Sequence, residues 1–128
     1  KSFYTRSNFL EAVSAYPGFG TKREIAAYFA HVTHGPMQLS WNYNYIDAGK
    51  ELHFDGLNDP DIVGRDPIIS FKTSLWFWIR KGVQYVILDP NQGFGATIRI
   101  INGGQECDGH NTAQMMARVG YYQEYCAQ

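Results

Sequence analysis

The chain has 128 residues, of which 45% are hydrophobic and 16% aromatic, with a formal net charge of -1. That balance excludes a disordered segment, which needs low hydrophobicity and high net charge, and the scattered basic residues argue against a nucleic-acid partner. The length suits one domain over residues 1–128, and no apolar run approaches the ~18 residues of a membrane span, so no membrane partner is expected.

The elements read mostly as helices divided by glycine-rich turns. Ser7 is placed to cap a first short helix carrying Phe9, Leu10 and Val13, and Pro17-Gly18-Phe19-Gly20 ends it. Thr21 to Glu24 forms a capping box, with the Thr21 hydroxyl accepting near Glu24 and Glu24 reaching back. Behind it Ile25, Ala26, Phe29 and Val32 recur at helical spacing and predict a buried stripe on a helix running to about His34. Gly35-Pro36 breaks the chain. The polar-aromatic stretch Gln38 to Tyr45 follows, and then a loop region rich in Gly, Asp and Asn.

Asp66-Pro67 is a cap followed by proline at the first helical position. Ile68, Ile69, Phe71, Leu75, Trp76 and Trp78 make the helix behind it the most hydrophobic, with Gly82 as its stop. Core packing is expected of Trp76 and, less strongly, of Trp78. Val83 to Leu88 reads as a strand or as a continuation of that helix. Asp89 to Gly93 is a loop, Phe94 to Ile101 a short buried helix, Asn102-Gly103-Gly104 a turn, and Thr112 to about Tyr125 the last helix. The chain opens at Lys1 without a charged-then-apolar leader, so any signal peptide is expected to have been removed or left out.

Several residues have a bland reading beside a functional one. His31 and His34 are three apart on a helix, a spacing that can hold a metal, but no third ligand joins them, which favours structural hydrogen bonding. Tyr43 and Tyr45 are either core edge or binding residues. Glu106 and Arg118 read as an ordinary surface ion pair. Gly93-Phe94-Gly95 lacks the Gly-Lys-Ser/Thr ending of a phosphate loop. Nothing in the sequence demands a cofactor or a metal.

Taken together and in order, a set of stretches resembles glycoside hydrolase family 19, the plant class I, II and IV chitinases. They are Phe3-Tyr4-Thr5-Arg6, Lys22 to Ala27 running into His31-Val32-Thr33-His34, and Gly35 to Tyr45. Then come Ser70-Phe71-Lys72-Thr73 with Trp76-Phe77-Trp78, Gly93 to Arg99 with Ile101-Asn102-Gly103, and Ala117 to Tyr122. The resemblance covers nearly the whole chain. It implies a mainly α, lysozyme-like helical domain of the family 19 chitinase type, truncated at both ends and in the catalytic loop. It also implies chitin or chitooligosaccharides as the partner, a monomer, and a secreted or vacuolar location in a plant. Gln38, Ser40, Trp41, Tyr43, Asn44, Lys72, Asn102 and Arg118 match substrate-binding positions of the family. His34, Glu106 and Arg118 match a charge network beside the catalytic acid.

The departures concern the chemistry. In the family the helix ending in Thr-His continues into a glutamate, the general acid, and a loop then carries the base. Here Gly35 follows His34. The family's first helix before Phe3 and its tail beyond Cys126 are missing too. Inverting hydrolysis needs both carboxyl groups, and losing either role costs ~10²–10⁴-fold. Glu106 is a weak substitute, because an arginine neighbour favours the ionised form and spoils it as an acid. The expectation is therefore a chitin-binding protein without catalytic residues and without efficient hydrolysis, with a plant defence role implied by the family resemblance. The alternative is an active inverting endochitinase of β-1,4 N-acetylglucosamine links whose catalytic loop lies outside these residues. A third reading keeps the fold with no sugar binding.

Two cysteines, Cys107 and Cys126, do not define a disulfide framework. They flank a last helix of ~14 residues, ~21 Å long at 1.5 Å per residue, against the ~7 Å that a disulfide tolerates between Cα atoms. The resemblance pairs Cys107 with a cysteine in the tail. No Cys107–Cys126 bond is expected.

Overall fold

The structure is a computed structural model and describes residues 4–34, 42–109 and 112–127. Every regular element among the described residues is a helix: α1 (Arg6–Val13), α2 (Lys22–His34), α3 (Asn42–Leu52), α4 (Ile62–Arg65), α5 (Pro67–Arg80), α6 (Val83–Leu88), α7 (Phe94–Glu106) and α8 (Thr112–Ala127). The mainly α, lysozyme-like expectation is met. The helices group into two compact units, Lys1–Gly18 with Gln38–Phe77, and Phe19–Met37 with Trp78–Gln128. None of the helices among the described residues is long and apolar enough to cross a membrane.

In the first unit, α1 is capped by Thr5 rather than by Ser7. Thr5 has extended backbone angles, and its hydroxyl accepts from the Asn8 amide at 3.1 Å. Ser7 lies inside the helix, where its own backbone is already helical and cannot serve as the half-in cap. Phe71 of α5 receives the rings of Tyr4 and Phe9 edge-on, each at a centroid distance of 5.4 Å. The α5 cap is as read: Asp66 Oδ1 accepts from the amides of Ile68 (2.9 Å) and Ile69 (3.1 Å), and Pro67 takes the first helical position. Phe71, Leu75 and Trp76 are buried, and Trp76 Nε1 donates to Glu51 Oε1 at 3.2 Å.

Helix α3 replaces much of the expected loop. Its buried positions are Asn44, Ala48 and Gly49. They fall at i, i+4 and i+5 but carry no large apolar side chain, so the usual periodic signal is missing. Contact is made by backbone instead. A Cβ on Gly56 would fall on the Tyr45 carbonyl, and one on Gly49 would stand 2.5 Å from the Phe54 carbonyl oxygen.

In the second unit α2 lies against α8 and α6, and α7 against α6 and α8. The capping box holds: the Glu24 amide donates to Thr21 Oγ1 at 3.1 Å, and Glu24 Oε1 accepts from the amide of Gly20 at 3.0 Å. The buried face of α2 differs from the expected stripe. Glu24, Ala26, Ala27, Tyr28, Ala30 and His31 are buried, while Ile25, Phe29 and Val32 are only half-buried. Two polar residues thus stand on the inner face, and each has its partners: Glu24 Oε2 accepts from Trp78 Nε1 at 3.0 Å. Burying polar groups is tolerable only when they are hydrogen-bonded, so apolar periodicity pointed at the wrong face.

Trp78 is fully buried, more so than Trp76. Gly82 has φ +82, the left-handed conformation that ends α5 and sets the start of α6. Val83–Leu88 is therefore a separate helix, neither a strand nor a continuation. The break expected at Asn102-Gly103-Gly104 is present as a kink: Asn102 has a non-helical φ of -153 and ψ of 36, and a second helical stretch of α7 follows it to Glu106.

Candidate functional site

The second unit holds a buried polar network drawn from three helices. Glu106, at the end of α7, is 1% exposed, and Arg118, the one residue of α8 counted as buried, is 8% exposed. They meet as a fork: Arg118 Nε donates to Glu106 Oε1 at 2.8 Å and Nη2 to Oε2 at 3.1 Å. The two parallel charge-assisted bonds fix orientation as well as distance. Asn102 Nδ2 donates to Glu106 Oε2 at 2.6 Å. The kink in α7 stands at this asparagine, one helical turn before the carboxylate it contacts.

His31 of α2 completes the network. Its Nδ1 lies 3.0 Å from Arg118 Nη1, and its Nε2 lies 2.8 Å from Thr97 Oγ1. Thr97 in turn donates to the Phe94 carbonyl at 2.6 Å. The imidazole stacks on Phe94 (4.8 Å, 16°), and Phe94 stacks on Tyr122 (4.3 Å, 8°). Arg23 reaches the rim of this column, Nε to the Tyr122 hydroxyl at 3.3 Å and Nη2 to the Gln92 carbonyl at 3.1 Å. Burial pushes the Tyr122 phenol above its ordinary range, and Arg23 opposes that shift.

The Glu106–Arg118 pair is thus not the surface ion pair of the bland reading. Two charges taken out of water cost several kcal/mol each, and only good geometry with further hydrogen bonds offsets that. Asn102 and His31 supply such bonds. A carboxylate held by a guanidinium on both oxygens stays an anion, suited to orienting and charge stabilisation rather than to proton donation.

Of the expected site residues, Asn102, Glu106 and Arg118 come together here. Tyr43 and Asn44 of α3 and Lys72 of α5 belong to the first unit: Tyr43 is exposed, Asn44 buried and Lys72 half-buried. Gln38, Ser40 and Trp41 lie outside the described residues, and so does the side chain of His34, the last residue of α2. His31 makes the structural hydrogen bonds expected of it, but neither its place in this network nor that of Thr97 was foreseen. The available signal was the seven-residue spacing of His31 from Glu24, two turns along one face of α2. Among the described residues no group of three or more His, Cys, Asp and Glu is placed to hold a metal. Cys107 and Cys126 are both free thiols.

Comparison with known proteins places these features in a family. A family model described as chitinase class I, of glycoside hydrolase family 19, matches residues 30–85 and 88–128. An acidic endochitinase of Dioscorea japonica is 75% identical over 171 aligned positions, which cover 100% of this chain and 68% of that protein. Endochitinase A of Zea mays is 49% identical, again over 100% of this chain but only 60% of its own length. The crystal structure of a class IV chitinase from Zea mays superposes with a TM-score of 0.90 at 48% identity, covering 99% of this chain and 82% of that one. Chitinase C of Streptomyces griseus superposes with a TM-score of 0.90 at 32% identity, covering 99% and 70%.

These relatives correct one expectation. The chain was read as a non-enzyme because no glutamate follows His34, yet its relatives at 75% and 49% identity are named endochitinases. The Dioscorea match runs over 171 positions while this chain has 128 residues, so at 43 positions (171 less 128) the relative has a residue and this chain has none. The lack of a glutamate after His34 is therefore not grounds for calling the protein inactive. The chain belongs to glycoside hydrolase family 19.

Proposed function

We propose that the protein is an inverting endochitinase that cleaves β-1,4 links between N-acetylglucosamine units of chitin. The observation that carries this reading is the Dioscorea match, 75% identical over 171 positions that cover 100% of this chain. Segments that the endochitinase has and these residues lack are then where the two carboxylates belong, the general acid directly after His34 and the base in the loop beyond. Inversion requires them ~6.5–9.5 Å apart, with room for the attacking water between.

The residues present have supporting roles in this reading. Gln38, Ser40, Trp41, Tyr43, Asn44, Lys72, Asn102 and Arg118 hold the sugar units, polar groups meeting hydroxyls and acetamides while aromatic rings meet C–H faces. Glu106, kept ionised by Arg118 and oriented by Asn102, forms with His34 the charge network beside the acid. Chitin or its oligosaccharides are the partner, and a secreted or vacuolar setting with a defence role fits the plant relatives.

The test combines intact mass with hydrolysis of a chitin hexamer by the purified protein, its products read for anomeric form by proton NMR. The expected result is a mass above the 14.6 kDa of these residues and cleavage giving the α-anomer first. A mass at that value with the hexamer intact overturns the proposal.

A further inference from the structure

We propose that His31 is a positioning residue: as the neutral Nε2–H tautomer it holds Arg118 through Nδ1, and through Arg118 it aims Glu106 and Asn102. Its bearing on turnover rests on the hydrolase reading above, while its chemistry stands on the network itself.

A guanidinium donates and never accepts. The 3.0 Å contact with Arg118 Nη1 therefore makes His31 Nδ1 an acceptor and puts the ring proton on Nε2. Nε2–H then donates to Thr97 Oγ1 at 2.8 Å, and the Thr97 proton goes on to the Phe94 carbonyl at 2.6 Å. From Arg118 to that carbonyl each donor meets an acceptor. The opposite tautomer, or an imidazolium, sets Nδ1–H against a guanidinium N–H.

The ring is fixed as well as protonated in one way. His31 is fully buried, and Phe94 lies on its face at 4.8 Å and 16°, itself backed by Tyr122. The ring of Trp78 stands 6.1 Å away at 56°. Arg118 is thus gripped on opposite sides of its plane edge: Nε and Nη2 by Glu106, Nη1 by His31. With the Nδ1 acceptor removed, the fork can rotate about its carboxylate, and Asn102, tied to the same carboxylate oxygen as Nη2, shifts with it. Small displacements of this kind matter for reactions that depend on alignment.

The first measurement is the imidazole 15N–1H spectrum of the labelled intact protein at pH 7. Nε2–H with an unprotonated Nδ1 is expected for His31, and Nδ1–H or an imidazolium overturns the proposal. Two variants then separate positioning from packing. His31→Gln carries an acceptor for Arg118 and a donor for Thr97, and His31→Leu fills similar volume with neither. The Arg118 Nε–H resonance is expected to keep its shift in His31→Gln and to move or broaden in His31→Leu. An unmoved resonance in His31→Leu overturns the proposal, and so does equal disturbance in both. On a chitin hexamer, with thermal midpoints showing both variants folded at the assay temperature, His31→Leu should lose kcat by about 10²-fold at little changed KM while His31→Gln stays within about threefold of wild type. Equal kcat in His31→Leu and wild type overturns it too. If wild type leaves the hexamer intact, the hydrolase reading falls, and the two spectra still decide the role of His31.

Discussion

Arg118 spends three of its donors on two other helices, joining Glu106 of α7 to His31 of α2. Removing one charge from such a pair leaves the other buried and uncompensated. Arg118→Met should therefore destabilise the fold by about 3–5 kcal/mol, read as a lower urea midpoint, and a change below about 1 kcal/mol would place the pair in water, as surface pairs behave. Glu24 offers a smaller test of the same physics. Trp78→Phe keeps an aromatic ring but removes the Nε1–H that Glu24 Oε2 accepts, and the expected loss from the unpaired carboxylate, beyond that of the smaller ring, is about 1–3 kcal/mol in equilibrium unfolding. Wild-type stability in that variant would mean the buried carboxylate does not need the indole. At this scale the sequence was only partly legible. Asn102, Glu106 and Arg118 were singled out through the family resemblance, whereas spacing alone read Glu106 and Arg118 as a surface pair. The reason is that twelve residues and a helix boundary separate them, and burial of charge is decided by what folds over it.

At the scale of elements, caps and turns follow local chemistry. Asp66 closes the start of α5 by accepting two amides, so Asp66→Ala should cost about 0.5–2 kcal/mol, measured by thermal unfolding; an unchanged midpoint would show that Pro67 alone starts the helix. Asp89 accepts from the Asn91 amide at 2.8 Å and from Gln92 Nε2 at 3.1 Å, and these bonds, the Asn91 amide first, hold its carboxyl below the ordinary carboxylate range. Because the folded value is depressed, its contribution is present above the ordinary range and disappears as pH falls through the folded value. NMR titration should find the Asp89 midpoint below that of an unstructured peptide, and a midpoint at or above it would rule the turn bonds out. Helix α3 shows where local reading stops. Its inner face is Asn44, Ala48 and Gly49, and segment 54–56 comes to within backbone contact at Gly49 and Gly56. Gly56→Ala should lower the unfolding midpoint, since its Cβ would meet the Tyr45 carbonyl, which is backbone and cannot turn aside; a tolerated alanine would refute that close approach.

For the molecule as a whole, the thiols report on what accompanies these residues. Cys107 and Cys126 are both free. Titration in denaturant of the 128-residue chain made by itself should return two thiols. The same titration on the protein from its source distinguishes this state from one in which Cys107 is paired with a cysteine beyond these residues, as the family resemblance implies. The sequence by itself determined the fold class, the family and most helix boundaries, because caps, prolines, glycines and ordered family motifs act over a few residues or are compared position by position. It also supplied an inference of inactivity, drawn from a missing glutamate, which runs against relatives named endochitinases. Only the tertiary structure decided which face of α2 is buried, that a second helical stretch follows the kink at Asn102, and that His31 closes the network. Those outcomes depend on partners 66 and 87 residues away along the chain, and no local pattern carries the hydrogen bonds that make a buried Glu24 or His31 tolerable.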